Sequence, residues 1–341
     1  MRYLGNKQKI ADLIVELIGI EEGQIILDPF SGTTSMAKAF KKSGAVVKTS
    51  DIMYLSYVLQ KAYIENNKEP TFDKLTNDNQ PYLNVLSQLN SLNIKKGFIF
   101  ENYTPVGANG HRMFFTGENG AKIDTIRTKI EHWHSLGLIS EMEYFILLAS
   151  LIESVSLFAN TTGVYEAYLK KWDSRALKPF EIKPIDLLYS NQNHQAHHLE
   201  ALELIELFPC ADVTYLDPPY NNRQYSYNYH LLETIARYDN PEIKGVAGKR
   251  VDAIKSDFSS KVNAKSALVE LISKINSGRI AMSYNTDGIL SIDDIQEVFK
   301  KNWLVDIKTI EHQAYKSNSG ATKTKACELL FLCEKKKAAT F

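Results

Sequence analysis

Four consecutive residues, Asp217-Pro218-Pro219-Tyr220, follow the apolar run ADVTYL and are built to grip a planar amine. Two prolines in a row fix φ and remove two backbone donors, leaving carbonyls that only accept. The Asp217 carboxylate is a further acceptor, and the Tyr220 ring offers a flat face to a base. Proline pairs also punctuate ordinary strand ends. The strand before this one and the Asp and Tyr that flank it favour chemistry, so all four residues are read as catalytic.

A second strand-like run ends in Asp28-Pro29-Phe30-Ser31-Gly32-Thr33-Thr34 and opens a helix. A glycine at such a turn lets a ligand approach the backbone, and a helix amino terminus suits an anion. Taken alone, the turn is explained equally well by a packing glycine with Thr33 or Thr34 as helix cap. Asp51 ends the next strand about twenty residues beyond the turn, where an acidic side chain can accept from ribose hydroxyls. Ile52 beside it can cover an adenine face. Together, turn and carboxylate point to a cofactor that carries a nucleoside.

The elements that must position these residues alternate. Strand-like runs at 24–30, 46–51, 185–191, 213–220, 279–285, 304–310 and 328–334 are separated by helical patterns at 35–42, 55–66, 196–207, 264–275 and 292–300. This rhythm predicts an open, mostly parallel, seven-stranded sheet with helices on both faces. Ligands bind such sheets where strands end and connections diverge. Asp28, Asp51, Asn191, Asn193, Asp217 and Asn285 all fall at those ends. The rhythm breaks between Asp51 and Ile185, a stretch too long for one crossover. Helices are expected there at 82–92, 121–136 and 141–159. The expected organisation is a discontinuous catalytic domain (1–66 and 185–335), an inserted, mainly helical lobe (67–184) and a charged tail (336–341).

In motif content and order the chain resembles the DNA adenine methylase family, the α-order N6-adenine methyltransferases. Arg2-Tyr3-Leu4-Gly5-Asn6-Lys7 is similar to the family's amino-terminal cofactor segment, Asp28 to Thr34 to its cofactor loop, Asp51 to its ribose acceptor and Asp217–Tyr220 to its catalytic tetrapeptide. The resemblance implies a Rossmann-like fold that binds S-adenosylmethionine. Its cofactor-binding residues would be Tyr3, Lys7, Asp28, Phe30, Gly32, Thr33, Thr34, Asp51, Ile52 and Asn193. Thr34 stands where the family often has a second glycine, and Asn191 or Asn193 where it often has an acid. The lone pair of an adenine amine is delocalised into the ring. Hydrogen bonds to the Asp217 carboxylate and the Pro218 carbonyl would aim that lone pair at the sulfonium methyl and offset the charge that develops. The base must first rotate out of the duplex. In-line transfer then needs no covalent intermediate.

Other segments suit DNA. Asn222, Arg223 and Tyr225 directly follow the tetrapeptide, and polar side chains mixed with aromatics can touch phosphate or fill a gap in the stack. The run at 107–120 (GANGHRMFFTGENG) reads as a hairpin with Asn-Gly turns that carries Arg112. Lys170, Lys171 and Arg175 are candidate phosphate contacts, with a solvated helix face as the default reading.

Lys and Arg number 40, as do Asp and Glu, so the net charge is zero. That balance argues mildly against a nucleic-acid partner, unless basic stretches such as 170–183 and 244–255 gather in one cleft. The amino-terminal residues do not read as a secretory signal, no run is long enough to span a membrane, and three cysteines show no ligand spacing. The expectation is a monomeric cytoplasmic protein without metal. It would act on double-stranded DNA, with a cognate restriction endonuclease as a functional partner. The competing readings are methylation of an amine in RNA or of cytosine, and a nucleic-acid-binding relative that has lost catalysis.

Overall fold

The computed structural model describes residues 7–313 and 325–336. They form two compact units. One holds Met53–Tyr189 with Tyr225–Ile254, and the other residues 7–52, 190–224 and 255 onward.

The second unit is built on a seven-stranded sheet. Its strands are β1 (Ile25–Asp28), β2 (Val46–Ser50), β3 (Gln195–His197), β4 (Val213–Leu216), β5 (Arg279–Asn285), β6 (Trp303–Gln313) and β7 (Lys325–Lys335). They lie side by side in the order β3-β2-β1-β4-β5-β7-β6. The first five run parallel to one another, whereas β7 runs antiparallel to both β5 and β6. Parallel strands are covered on both faces and need nearly continuous apolar side chains. Ile26, Leu27, Val213, Tyr215, Leu216, Ile280 and Met282 meet that need and are fully buried. The chain leaves β1 toward β2 on one side and later returns to place β4 on the other. The carboxyl ends of β1 and β4 are therefore the topological switch point, where a crevice opens.

Helices Ser35–Lys42 and Ile292–Lys300 and strand β5 fall where the sequence predicts them. The expected strand at 185–191 does not form, and the third strand is Gln195–His197. The following helix accordingly starts at Ala201 and not at 196. An edge strand of three residues needs little apolar content. Its register is set by pairing with β2 and by side chains: the Val47 N–H donates to His194 Nδ1 (3.1 Å) and Lys48 Nζ to the Asn193 carbonyl (2.8 Å).

The first unit is helical, with its longest helices at Gly117–Ser135 and Glu141–Phe158. Residues 225–254, expected in the catalytic domain, belong to this unit. Helix His230–Arg237 explains why. Its Glu233 carboxylate accepts from the N–H groups of Tyr54 (3.2 Å) and Leu55 (2.7 Å), capping helix Tyr54–Gln60, and Arg127 donates to the Ile235 (3.0 Å) and Ala236 (3.2 Å) carbonyls. Such bonds satisfy helix ends across long sequence separations, so periodicity does not reveal them.

The expected hairpin at 107–120 is also absent. Residues 104–116 form turns, and Gly117 opens a helix whose Thr116 side chain caps the Asn119 N–H at 3.2 Å. The cap and the burial of Asn119, Gly120 and Ala121 outweigh the turn preference of the glycines. Gly117 and Gly120 instead let this helix approach residues 100–106, since a Cβ on either would collide with Val106 or Thr104. The only hairpin described in this unit pairs Ile243–Lys244 with Lys249–Arg250.

Candidate active site

Asp28 ends β1, Asp51 lies one residue beyond β2 and Asp217 one beyond β4, so three carboxylates converge on one edge of the sheet. Lys7, from the segment before helix Ala11–Ile18, reaches the same place. Its ammonium donates to Asp217 Oδ1 at 2.9 Å and lies 3.2 Å from Glu328 Oε1. Lys7 and Glu328 are buried, while the Asp217 side chain is 19% exposed. Burial pushes the Asp217 carboxyl above its usual range, and the Lys7 charge opposes the shift. Burial alone would lower Lys7, but the charges of Asp217 and Glu328 outweigh it and hold the ammonium protonated.

Asp28 is almost fully buried, and neither of its oxygens has a hydrogen bond of ordinary geometry among the described residues. Burial and the nearby Asp217 push its carboxyl up to about 8. The loop that follows is tightly constrained. The Gly32 N–H donates to Asp51 Oδ2 at 2.9 Å, the Ser31 N–H to the Ser50 carbonyl at 3.1 Å, and the Thr34 N–H to the Ser31 carbonyl at 2.7 Å. Gly32 has φ +50°, and Thr34 adopts the left-handed region at φ +65°. Thr34 precedes helix Ser35–Lys42 but makes no side-chain cap. Its hydroxyl donates to the Thr33 carbonyl, and the Thr33 hydroxyl sits 3.4 Å from that of Ser35.

Aromatic groups frame the edge. The Phe30 ring meets Phe258 edge-on at 5.1 Å, and half-buried Tyr220 meets Tyr284 edge-on at 6.4 Å. The Tyr220 carbonyl accepts from Ile289 N–H at 2.8 Å, anchoring the tetrapeptide turn. Behind it, Tyr215 donates to the Ser283 hydroxyl at 2.9 Å. Pro218 is buried and Pro219 half-buried.

Of the residues named from sequence, Lys7, Asp28, Phe30, Gly32, Thr33, Thr34, Asp51, Ile52 and Asp217–Tyr220 lie on or beside this edge, and Tyr3 lies outside the described residues. The Lys7 ammonium sits on the tetrapeptide's own carboxylate. Asn193 is exposed on the β3 side, where its carbonyl takes the Lys48 ammonium, and the Ile52 carbonyl contacts His198 Nε2 at 3.0 Å.

Sequence reasoning missed Glu328. It searched the carboxyl ends of strands, whereas β7 is reversed, so its beginning arrives at that edge with Glu328 opposite Asn285. A single acid at the head of the otherwise apolar ELLFL was the available signal.

The candidate DNA contacts divide. Asn222, Arg223, Lys170 and Lys171 are exposed. The segment around Lys170 is irregular and not the helix face considered from sequence. Arg175 is clamped by Asp173 at 2.7 and 3.1 Å. Tyr225 stacks on Tyr229 with centroids 6.2 Å apart. Arg112 is committed elsewhere. Its guanidinium donates to the carbonyls of Asn102 (2.8 Å), Gly245 (3.1 Å) and Val246 (3.0 Å), holding the tip of the 243–250 hairpin. Among the described residues no cluster of His, Cys, Asp or Glu could hold a metal ion, and no helix is long and apolar enough to cross a membrane.

This strand order, its reversed seventh strand, the glycine turn after β1 and the acids at three strand ends define a Rossmann-like α/β fold. The chain belongs to the D12 class N6 adenine-specific DNA methyltransferase family, whose model matches residues 3–313. It is 37% identical to modification methylase StsI of Streptococcus sanguinis, over 98% of this chain and 52% of that protein. It is 38% identical to type II methyltransferase M.FokI of Planomicrobium okeanokoites, over 96% and 51%, and so spans about half the length of these two relatives. Type II methyltransferase M.NlaIII of Neisseria lactamica is 33% identical over 93% of both chains.

Proposed function

We propose that this chain transfers a methyl group from S-adenosylmethionine to N6 of adenine in double-stranded DNA. It would act as the modification part of a restriction-modification system, as a cytoplasmic monomer with a cognate endonuclease as functional partner. The observation that carries the reading is Asp217: a partly exposed carboxylate at the switch point of the sheet, followed by two prolines and a tyrosine and backed by Lys7. The names of the StsI and M.FokI relatives support the modification role.

The residues of the β1 loop fit the methyl donor. The two Asp28 oxygens are buried without a hydrogen bond of ordinary geometry among the described residues, which suits a group rich in donors and positive charge. Asp51, beyond β2, and Ile52 suit the ribose and the adenine of the donor, and the Gly32–Thr34 turn suits close approach of its amino-acid end. When bound, S-adenosylmethionine supplies an electrophilic methyl group on sulfur. Asp217 and the Pro218 carbonyl then accept hydrogen bonds from the target amine, aim its lone pair and offset the positive charge that develops on nitrogen. Lys7 donates to Oδ1 and so fixes the rotamer of the carboxylate. Tyr220 holds the base, whose extrusion from the duplex costs about a few kcal/mol. Lys170, Lys171, Asn222 and Arg223 remain candidates for phosphate contact. Arg112 leaves that set because each of its three nitrogens donates to a backbone carbonyl, and Arg175 and Tyr225 are engaged within the protein.

The test is Asp217→Ala, assayed by methyl transfer from labelled cofactor into duplex DNA and into RNA. Transfer into duplex adenine should fall by about 10²–10³-fold or more, while DNA binding persists. Retained activity in the variant, or methylation of RNA alone by the native protein, would overturn the reading.

A further inference from the structure

Strand β7 lies between β5 and β6, a position that favours apolar side chains on both faces, and Leu329, Leu330, Phe331 and Cys333 supply them. Glu328 breaks the pattern. A carboxylate buried at such a position costs several kcal/mol unless it is paired, and an apolar residue would serve the fold as well or better. Among the described residues it lies 3.2 Å from Lys7 Nζ, the same ammonium that donates to Asp217 Oδ1 at 2.9 Å. One cation is thus shared between a carboxylate assigned to the reaction and one that the reaction does not touch.

We propose that Glu328 is a positioning residue that acts on Asp217 through Lys7, dividing the ammonium so that Asp217 remains a strong acceptor for the target amine. This rests on the reading of Asp217 as the residue that grips the amine. An ammonium given wholly to Asp217 would make its oxygens poorer acceptors and cancel the negative charge that must meet positive charge growing on nitrogen. With Glu328 present, Lys7, Asp217 and Glu328 together carry a net negative charge. The other titratable groups facing Asp217 are Asp28 from β1, with Asp51 acting on Asp28 from beyond β2, and Tyr215 and Tyr220 from β4 and its turn. Apart from Lys7, each of these is a carboxyl or a phenol. Removing the charge of Glu328 therefore leaves less negative charge, among the described residues, to divide the Lys7 ammonium with Asp217.

The proposal predicts the sign of a pH shift. Methyl transfer needs ionised Asp217, so single-turnover rates fall as pH drops through its titration. Glu328→Gln should move that acid limb down by about one pH unit, because an undivided Lys7 stabilises the Asp217 anion more strongly. It should also lower the plateau rate by about tenfold. Glu328→Asp keeps the charge but lengthens the contact and should shift the limb the same way by less. Lys7→Met should move it up by at least about one unit.

A merely structural role gives the opposite result. Loosening the strand edge would weaken the contact between Lys7 and Asp217 and raise the limb in both Glu328 variants. An upward or absent shift therefore overturns the proposal. Carboxyl-carbon NMR of Asp217 in the protein without DNA reads the same order without turnover. That separates the two claims: if native protein methylates no duplex adenine, the functional reading fails, while the resonance order still decides whether Glu328 divides Lys7. Should the Gln variant not fold, the Asp variant carries both measurements.

Discussion

Two ionic clusters in this protein, each built around a buried cation, start from similar ingredients and reach opposite ends. In the helical unit, Arg250 is almost wholly buried and donates twice to Asp239 (2.7 and 2.8 Å) and twice to Asp252 (2.9 and 2.8 Å). Arg237 adds a second cation, 2.7 Å from Asp239 and 3.2 Å from Asp252. Two positive and two negative charges balance, and the bonds to Arg250 hold both carboxyls below their usual range. On the sheet edge, Lys7 faces Asp217 and Glu328 with Asp28 close by, one cation among three acids in the described residues. Burial there pushes Asp28 and Asp217 up. The balanced cluster holds the 243–250 hairpin to its neighbours. Under the proposed function the unbalanced one awaits positive charge from the methyl donor and the target amine, and groups displaced from their ordinary titration are what a reacting site needs.

The sharpest way to break this contrast is to remove the balanced cation. Arg250→Met removes the buried guanidinium fork and leaves two partly exposed carboxylates facing a single partly exposed arginine. We expect a loss of about 3 kcal/mol in denaturant unfolding at neutral pH, with methyl transfer per folded molecule unchanged. If the variant instead loses activity at native stability, the cluster is part of the reacting machinery and the contrast fails.

The two regions were also unequally legible in the sequence. Asp28, Asp51 and Asp217 could be placed because each ends an apolar run in a parallel sheet, and parallel strands carry their ligands at their carboxyl ends. Glu328 could not, because its place depends on β7 running backwards between β5 and β6, and nothing in ELLFLCE states direction. In the helical unit, local signals competed with partners far along the chain. Asn-Gly dipeptides suggested a hairpin at Arg112, but the Thr116 cap turned Gly117–Gly120 into helix, and Arg112 closed on carbonyls more than a hundred residues away. Residues 225–254 joined that unit through Glu233 and Arg127, side chains whose partners are backbone groups. The basic stretch at 244–255 looked like a surface for phosphate. Arg250 is instead internal, and Lys249 pairs with Glu166 at 2.9 Å.

A second test bears on the unbalanced side. Asp28 has its folded pKa raised from an ordinary 3.8 to about 8. The folded state therefore holds the proton more tightly than the unfolded chain. The stability this brings is complete below about pH 4 and is lost as pH rises toward 8. Between pH 5.5 and 7.5 the native protein should lose about 2 kcal/mol from this group. Asp28→Asn should flatten that slope in pH-resolved thermal unfolding. An unchanged slope would mean that Asp28 is already ionised and paired, and the readiness ascribed to the edge would rest on Asp217 alone.

The smallest effect concerns backbone strain, which both regions carry. Near Asp239, Tyr238 and Asn240 have φ of +49° and +51°, and the Tyr238 hydroxyl is tied to Asp124 at 2.6 Å. On the sheet edge the strained residue is Thr34, β-branched and fully buried, where a left-handed φ costs about 1–2 kcal/mol. Thr34→Gly relieves that cost. It also forfeits two buried carbons at about 0.8 kcal/mol each and the hydroxyl that donates to the Thr33 carbonyl, and adds about 0.5–1 kcal/mol of chain entropy to the unfolded state. Relief of strain offsets most of this, so stability should fall by only about 1 kcal/mol, where truncating a buried side chain ordinarily costs more. A loss of about 2 kcal/mol or greater would show that the loop is relaxed around threonine, and that packing rather than strain sets its conformation.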